Sequence, residues 1–258
     1  MPMKKSIYRK LTILTLVSLS IGTGIYFKDT VFDAAESDYQ QVNLMRGYRE
    51  IQPLKEVTNY QLEVPLYNQL DAPSLPYGCE VTALGMLLSY YGYDGNKNTL
   101  QDQIQKEPYQ DENGLMGNPD IGFVGDATGK KPGTGVNHGP IADLAQKVVQ
   151  NDYQVHDISN QSFDKVIEQI KEGRPVWVVT SIDYEVPSSR DKLAWQTKQG
   201  MMTLELKHHA AVVTGVDQTH VYLNDAFGEK KKIEYPKFEK IFKSMGSQAI
   251  YLENNTIS

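Results

Sequence analysis

A change of period at Gly173 constrains this chain more than any other feature. Before it, apolar residues recur at helical spacing. Val81, Leu84, Leu88 and Tyr91 mark one such face, with Ala83, Leu87 and Tyr90 beside it, and Gly92 ends the pattern. "GPIADLAQKVVQ" (139–150) starts with proline in its first turn, and "SFDKVIEQIKEG" (162–173) has Ser162 as N-cap and Gly173 as its stop. After Gly173 the apolar residues come in runs of valine and aromatics bounded by turn residues: "PVWVVTSI" (175–182), "HAAVVTGVD" (209–217) and "HVYLNDAF" (220–227). The link "DQT" between the last two predicts an antiparallel hairpin. "YPKFEKIFKSMG" (235–246) reads as a short helix and "SQAIYLE" (247–253) as a final strand. Helices first and a clustered antiparallel sheet later imply an α+β fold rather than an alternating parallel sheet.

The N-terminal part is different. Residues 1–10 carry four basic side chains and no acid, and an uncharged run of 17 residues, 11–27, follows. As a helix that run would span ~26 Å, close to the lower limit for crossing a bilayer. "VFDAAES" supplies no small-x-small cleavage site, so an uncleaved anchor is expected, with the basic flank inside and the rest of the chain outside. If residues 1–28 were cleaved, the protein would instead be secreted. Residues 29–59 are polar and aperiodic and read as a spacer. The folded domain is expected over 60–256, beginning with strand-like alternation in "YQLEVPLYNQ" (60–69). A Gly/Asn/Asp/Pro-rich stretch from about 107 to 139 reads as a long functional loop. The net charge of −6 gives no basic footprint for nucleic acid, and "EKKKIEY" (229–235) reads as a solvated hairpin end.

The chain has one cysteine, Cys79, so no intramolecular disulfide, cysteine-based zinc cluster or two-cysteine redox pair can form. Pro76 and Gly78 lie just upstream, which puts Cys79 in the first turn of its helix. Unpaired N–H groups and the positive end of the helix dipole are expected there, lowering the thiol pKa and favouring a nucleophilic thiolate. A nucleophile also needs a base and a group to orient it. In "KHHAAVVTG" an imidazole leads into an apolar strand; His208 and His209 point to opposite faces, so only one can serve. Asn224 and Asp225 close the next strand and likewise face opposite ways. Either could accept the imidazole N–H. Gln69, ten residues before Cys79, could join the Cys79 backbone N–H in holding an oxyanion. Adjacent histidines are not spaced to share a metal, and no metal or cofactor is expected.

"VPLYNQLD…LPYGCEVTALGMLLSYYG…GNPDIGFVGD…HHAAVVTGVD…VYLNDAF" resembles the stand-alone relatives of the papain-like bacteriocin-processing cysteine peptidases, the C39-like group, over residues 60–253. The resemblance implies a papain-like α+β fold, with Cys79 as nucleophile, His209 as general base, Asp225 as orienting acid and Gln69 as oxyanion glutamine. Relatives that process double-glycine leaders are commonly fused to a transporter with an ATPase domain. This sequence contains no GxxxxGK[ST] loop, so their substrate is not carried over. The expected function is an extracytoplasmic cysteine peptidase acting on a peptide or protein. The alternatives are an amidase or transpeptidase on cell-wall peptides, with the same triad, and a non-catalytic peptide-binding domain.

Overall fold

The computed structural model describes residues 59–255. The helices that carry and brace the cysteine come first: α1 (Cys79–Tyr90), α2 (Lys97–Gln103), α3 (His138–Val149) and α4 (Phe163–Lys171). Among the described residues a seven-stranded sheet follows a two-residue start, β1 (Tyr60–Gln61), and collects β5 (Tyr153–Asp157), β6 (Val176–Ser181), β9 (His208–Val216), β10 (His220–Asp225), β11 (Glu229–Glu234) and β12 (Ala249–Asn254). Its order is β11-β10-β9-β6-β12-β5, with β1 joined to the far end of β9, and every pairing is antiparallel. Two small sheets flank it: β2 (Lys106–Glu107), β3 (Phe123–Gly125) and β4 (Gly133–Gly135) in one, and the hairpin of β7 (Lys192–Thr197) and β8 (Gly200–Glu205) in the other. A last helix, α5 (Tyr235–Ser244), fills the connection between β11 and β12.

All six residues of β6 and eight of the nine in β9 are buried, so both faces of the central sheet are covered. Trp177 fixes which helix lies on which face. Its indole N–H donates to the Glu80 carbonyl at 3.0 Å, seating α1 on the face that carries Trp177, Val179 and, through the strand register, Ala210 and Val212. α4 and α5 pack against β6 and β9 and the neighbouring strands, where Phe163 meets Phe238 and Phe242 at ring separations of 5.4 and 5.3 Å. Ten of the twelve residues of α1 are buried, which makes it a core helix rather than a surface one. The lysines of β11 sit on the sheet's edge, where charge discourages further strand pairing.

Several expectations need correction. Residues 60–69 alternate as a strand would, yet only Tyr60 and Gln61 pair in the sheet. Pro65 has no N–H to donate, and the Asn224 amide instead binds the Val64 and Pro65 carbonyls at 2.9 and 3.2 Å. Residues 229–234, read as a solvated hairpin end, form a full and largely exposed edge strand paired with β10, and Tyr235 begins α5. The 107–139 stretch is pinned by the three-residue strands β3 and β4. His138, expected in that loop, is the first residue of α3. The expected anchor, 11–27, and the spacer lie outside the described residues; among those described, no helix is long and apolar enough to cross a membrane.

Candidate active site

Cys79 is the first residue of α1, as its sequence context requires, and is 7% exposed. Gly78 precedes it because the chain folds back tightly there: a Cβ on Gly78 would lie 2.6 Å from Leu75 Cβ. The glycine thus serves the chain's own close approach. The thiol donates to Glu80 Oε2 at 3.3 Å. Its pKa is pushed well above the ordinary thiol value, first by burial, then by the adjacent Glu80 charge; the backbone N–H groups of Ala210 and Cys79 oppose this without reversing it. The expected depression by the helix N-terminus is therefore overturned in the resting molecule.

His209 and Asp225 occupy neighbouring strands on one face of the sheet. The β9–β10 register places Asp225 opposite Ala211, two residues along from His209. His209 Nε2 lies 3.1 Å from Asp225 Oδ2, both side chains are 1% exposed, and Phe227 stacks on the imidazole at 4.9 Å. Asp225 also accepts the Phe227 N–H at 2.7 Å and the Tyr184 hydroxyl at 2.5 Å. Burial raises its pKa, but the His209 bond and charge, with the Tyr184 and Phe227 donors, bring it below the usual carboxylate range. Tyr184 is pushed the other way by burial and by the Asp225 charge. Asn224, the other orienting candidate, is spent on the backbone of residues 64–65.

Gln69 sits in a turn rather than on a strand. Its backbone is held by the Ala226 carbonyl and by the Leu75 N–H. Its amide donates to the Pro76 carbonyl at 2.8 Å, and its Oε1 is buried without a partner among the described residues. Gln69, Cys79, His208, His209 and Phe227 line one recess of about 230 Å³, with Asp225 behind His209. A larger recess, about 360 Å³, is lined by Asp71, Asp94 and Lys97 among others, but it contains no nucleophile or histidine, so the chemistry belongs to the smaller one. Among the described residues no group of three His, Cys, Asp or Glu is arranged to hold a metal ion.

Two neighbours of this recess went unnoticed in the sequence. Tyr184 lies in a turn with φ +55°, and nothing in "SIDYEVP" marks it. Glu80 does carry a signal: it is a charged residue inside a helix that is otherwise apolar at its start. His208, which the resemblance passes over in favour of His209, also reaches the recess, from the α1 side.

The comparisons with known proteins identify the family. The family model described as "Peptidase_C39 like family" matches residues 61–250. A curated relative, the uncharacterized protein YvpB of Bacillus subtilis (strain 168), is 38% identical over 252 residues, covering 94% of this chain and 99% of its own. A crystal structure of a candidate C39-like peptidase from Bacillus anthracis superposes with a TM-score of 0.72 at 33% identity, covering 77% of this chain and 98% of that one. The α+β fold is thus the papain-like one, and the chain belongs to the peptidase C39-like family, as a stand-alone domain.

Proposed function

We propose that this protein is an extracytoplasmic cysteine peptidase that hydrolyses peptide bonds through Cys79, His209 and Asp225. The observation that carries the reading is a thiol and an imidazole lining one recess, the imidazole backed by a buried carboxylate at 3.1 Å. With Nε2 committed to Asp225, Nδ1 of His209 is the nitrogen left to take the thiol proton. The freed sulfur electron pair attacks the substrate carbonyl. The oxyanion is received by the Cys79 backbone N–H and by the second N–H of Gln69, whose first is held by Pro76. The imidazolium then protonates the departing amine. His209 next deprotonates a water that attacks the thioester, which releases the acid and restores the thiol. Phe227 and Tyr184 keep the imidazole and its carboxylate in place, so the base needs little reorganisation. The extracytoplasmic placement is supported by the basic residues 1–10 and the uncharged run 11–27.

The test pairs an electrophilic thiol probe with product analysis. Wild-type protein should be labelled at Cys79, and Cys79→Ala should neither label nor cleave. A linear peptide and a cell-wall peptide offered in parallel, with products read by mass spectrometry, separate hydrolysis of ordinary peptide bonds from amidase or transpeptidase chemistry. Hydrolysis that survives in Cys79→Ala refutes the reading.

A further inference from the structure

The proposed reaction uses Cys79, His209, Asp225 and Gln69 and leaves Glu80 unexplained. That side chain is fully buried on the first turn of α1. A carboxylate removed from water is costly unless donors surround it. Glu80 has them: Oε1 accepts the Val136 N–H at 3.0 Å, and Oε2 accepts the Cys79 S–H at 3.3 Å. His208 Nε2 stands 3.3 Å from Oε1, close enough for an ion pair but off line for a hydrogen bond. The fit is tight on the remaining side, since a Cβ on Gly135 would overlap Oε1. Glu80 is thus locked to β4, to β9 and to the thiol together.

We propose that Glu80 is a positioning residue that holds the resting thiol: the S–H points to Glu80 until substrate fills the recess, and attack begins when that hydrogen is handed to His209. The inference rests on the cysteine-nucleophile reading above. In the step itself the S–H bond breaks, the proton goes to His209 Nδ1, and the sulfur electron pair forms the C–S bond. Glu80 is left facing Val136 and His208 throughout. The groups that set its field are Cys79 on its own helix and His208 on β9. Glu205 on β8 acts at one remove by interacting with His208. β6 contributes only the Trp177 indole, on the Glu80 carbonyl. A thiol held this way is neutral and slow toward small electrophiles until substrate arrives.

With a single cysteine in the chain, the S–H stretch in the infrared belongs to Cys79 alone, and Cys79→Ser supplies the blank. Wild-type protein at neutral pH should show an S–H band, shifted to lower frequency than that of a thiol in water. Glu80→Gln should move the band and, by removing the charge that holds the thiol pKa up, speed alkylation by iodoacetamide at pH 7 about tenfold. No S–H band, an unshifted band, or unchanged alkylation in folded Glu80→Gln overturns the proposal. Should that variant not fold, the wild-type band decides. Peptide hydrolysis measured on the same samples keeps the two readings apart. Intact hydrolysis with an unshifted band sinks only the role of Glu80, whereas a shifted band without hydrolysis of any peptide sinks only the peptidase reading.

Discussion

Replacing Tyr184 with phenylalanine isolates one hydrogen bond behind the imidazole. The ring stays, the backbone at φ +55° stays, and so does the approach of the Lys231 ammonium to the ring at 5.9 Å. What goes is the hydroxyl that donates to Asp225 Oδ2 at 2.5 Å, in a place where Asp225 is 1% exposed. A hydrogen bond to a buried charged group contributes about 1.5–3 kcal/mol. For a domain of this size that corresponds to a fall in Tm of about 3–12 °C. The pH dependence gives the stricter test. Asp225 has a depressed pKa in the folded protein, so it adds stability that is full above its unfolded value of ~3.9 and is lost as pH falls through the folded value. Removing the Tyr184 donor raises the folded value and erases part of that contribution. The gap between wild type and Tyr184→Phe in urea unfolding should therefore be full at pH 7 and narrow as the pH falls below that unfolded value. A gap under about 0.5 kcal/mol at pH 7, the size expected of an idle surface substitution, would refute the argument. So would a gap that persists unchanged in acid.

Gly135→Ala places a methyl against Glu80 Oε1 at a backbone φ of +138°, and should destabilise by more than about 1 kcal/mol, read as a fall in Tm. Gln69→Ala should lower kcat by about 10²–10³ with a much smaller effect on KM, as expected of a donor that acts on the developing oxyanion; an effect confined to KM would remove Gln69 from that role. Trp177→Phe leaves the buried Glu80 carbonyl without its 3.0 Å donor and should cost about 1–3 kcal/mol in chemical denaturation.

The elements with strong periodicity were legible in the sequence. The runs at 79–90, 162–173, 175–182, 209–217 and 220–227 each form the helix or strand their pattern indicates, because burial on one or both faces sets the period. α2 and the β7–β8 hairpin were not legible. α2 spans seven residues with only Lys97, Leu100 and Gln101 buried, and its start is fixed by the Asn96 side chain capping the N–H groups of Asn98 and Thr99. The hairpin stands off the main sheet, and β8 alternates only between exposed and half-buried residues. The pairing of His209 with Asp225 rather than Asn224 follows from the register of β9 and β10, which includes a shift between Tyr222 and Leu223. Local alternation cannot count across such a shift.

The misjudged thiol has a physical explanation that also connects the two histidines. A helix N-terminus stabilises a nearby anion by about 0.3–1 kcal/mol when exposed and up to ~2 kcal/mol when partly buried. At Cys79 burial is the largest influence and raises the thiol pKa, the Glu80 charge adds to it, and the backbone donors oppose both without reversing them. Alternation correctly puts His208 and His209 on opposite faces of β9, and the strand begins at the recess, where both faces are within reach. His208 therefore meets Glu80 on the α1 side while His209 meets Asp225 on the other, and the thiol lies at the start of the helix beside them. In the proposed mechanism the two carboxylates act separately. Glu80 retains the proton on sulfur at rest, and Asp225 steadies the imidazole that removes it. A site built this way needs no standing thiolate, because the base acts only when a carbonyl is present to accept the sulfur electrons.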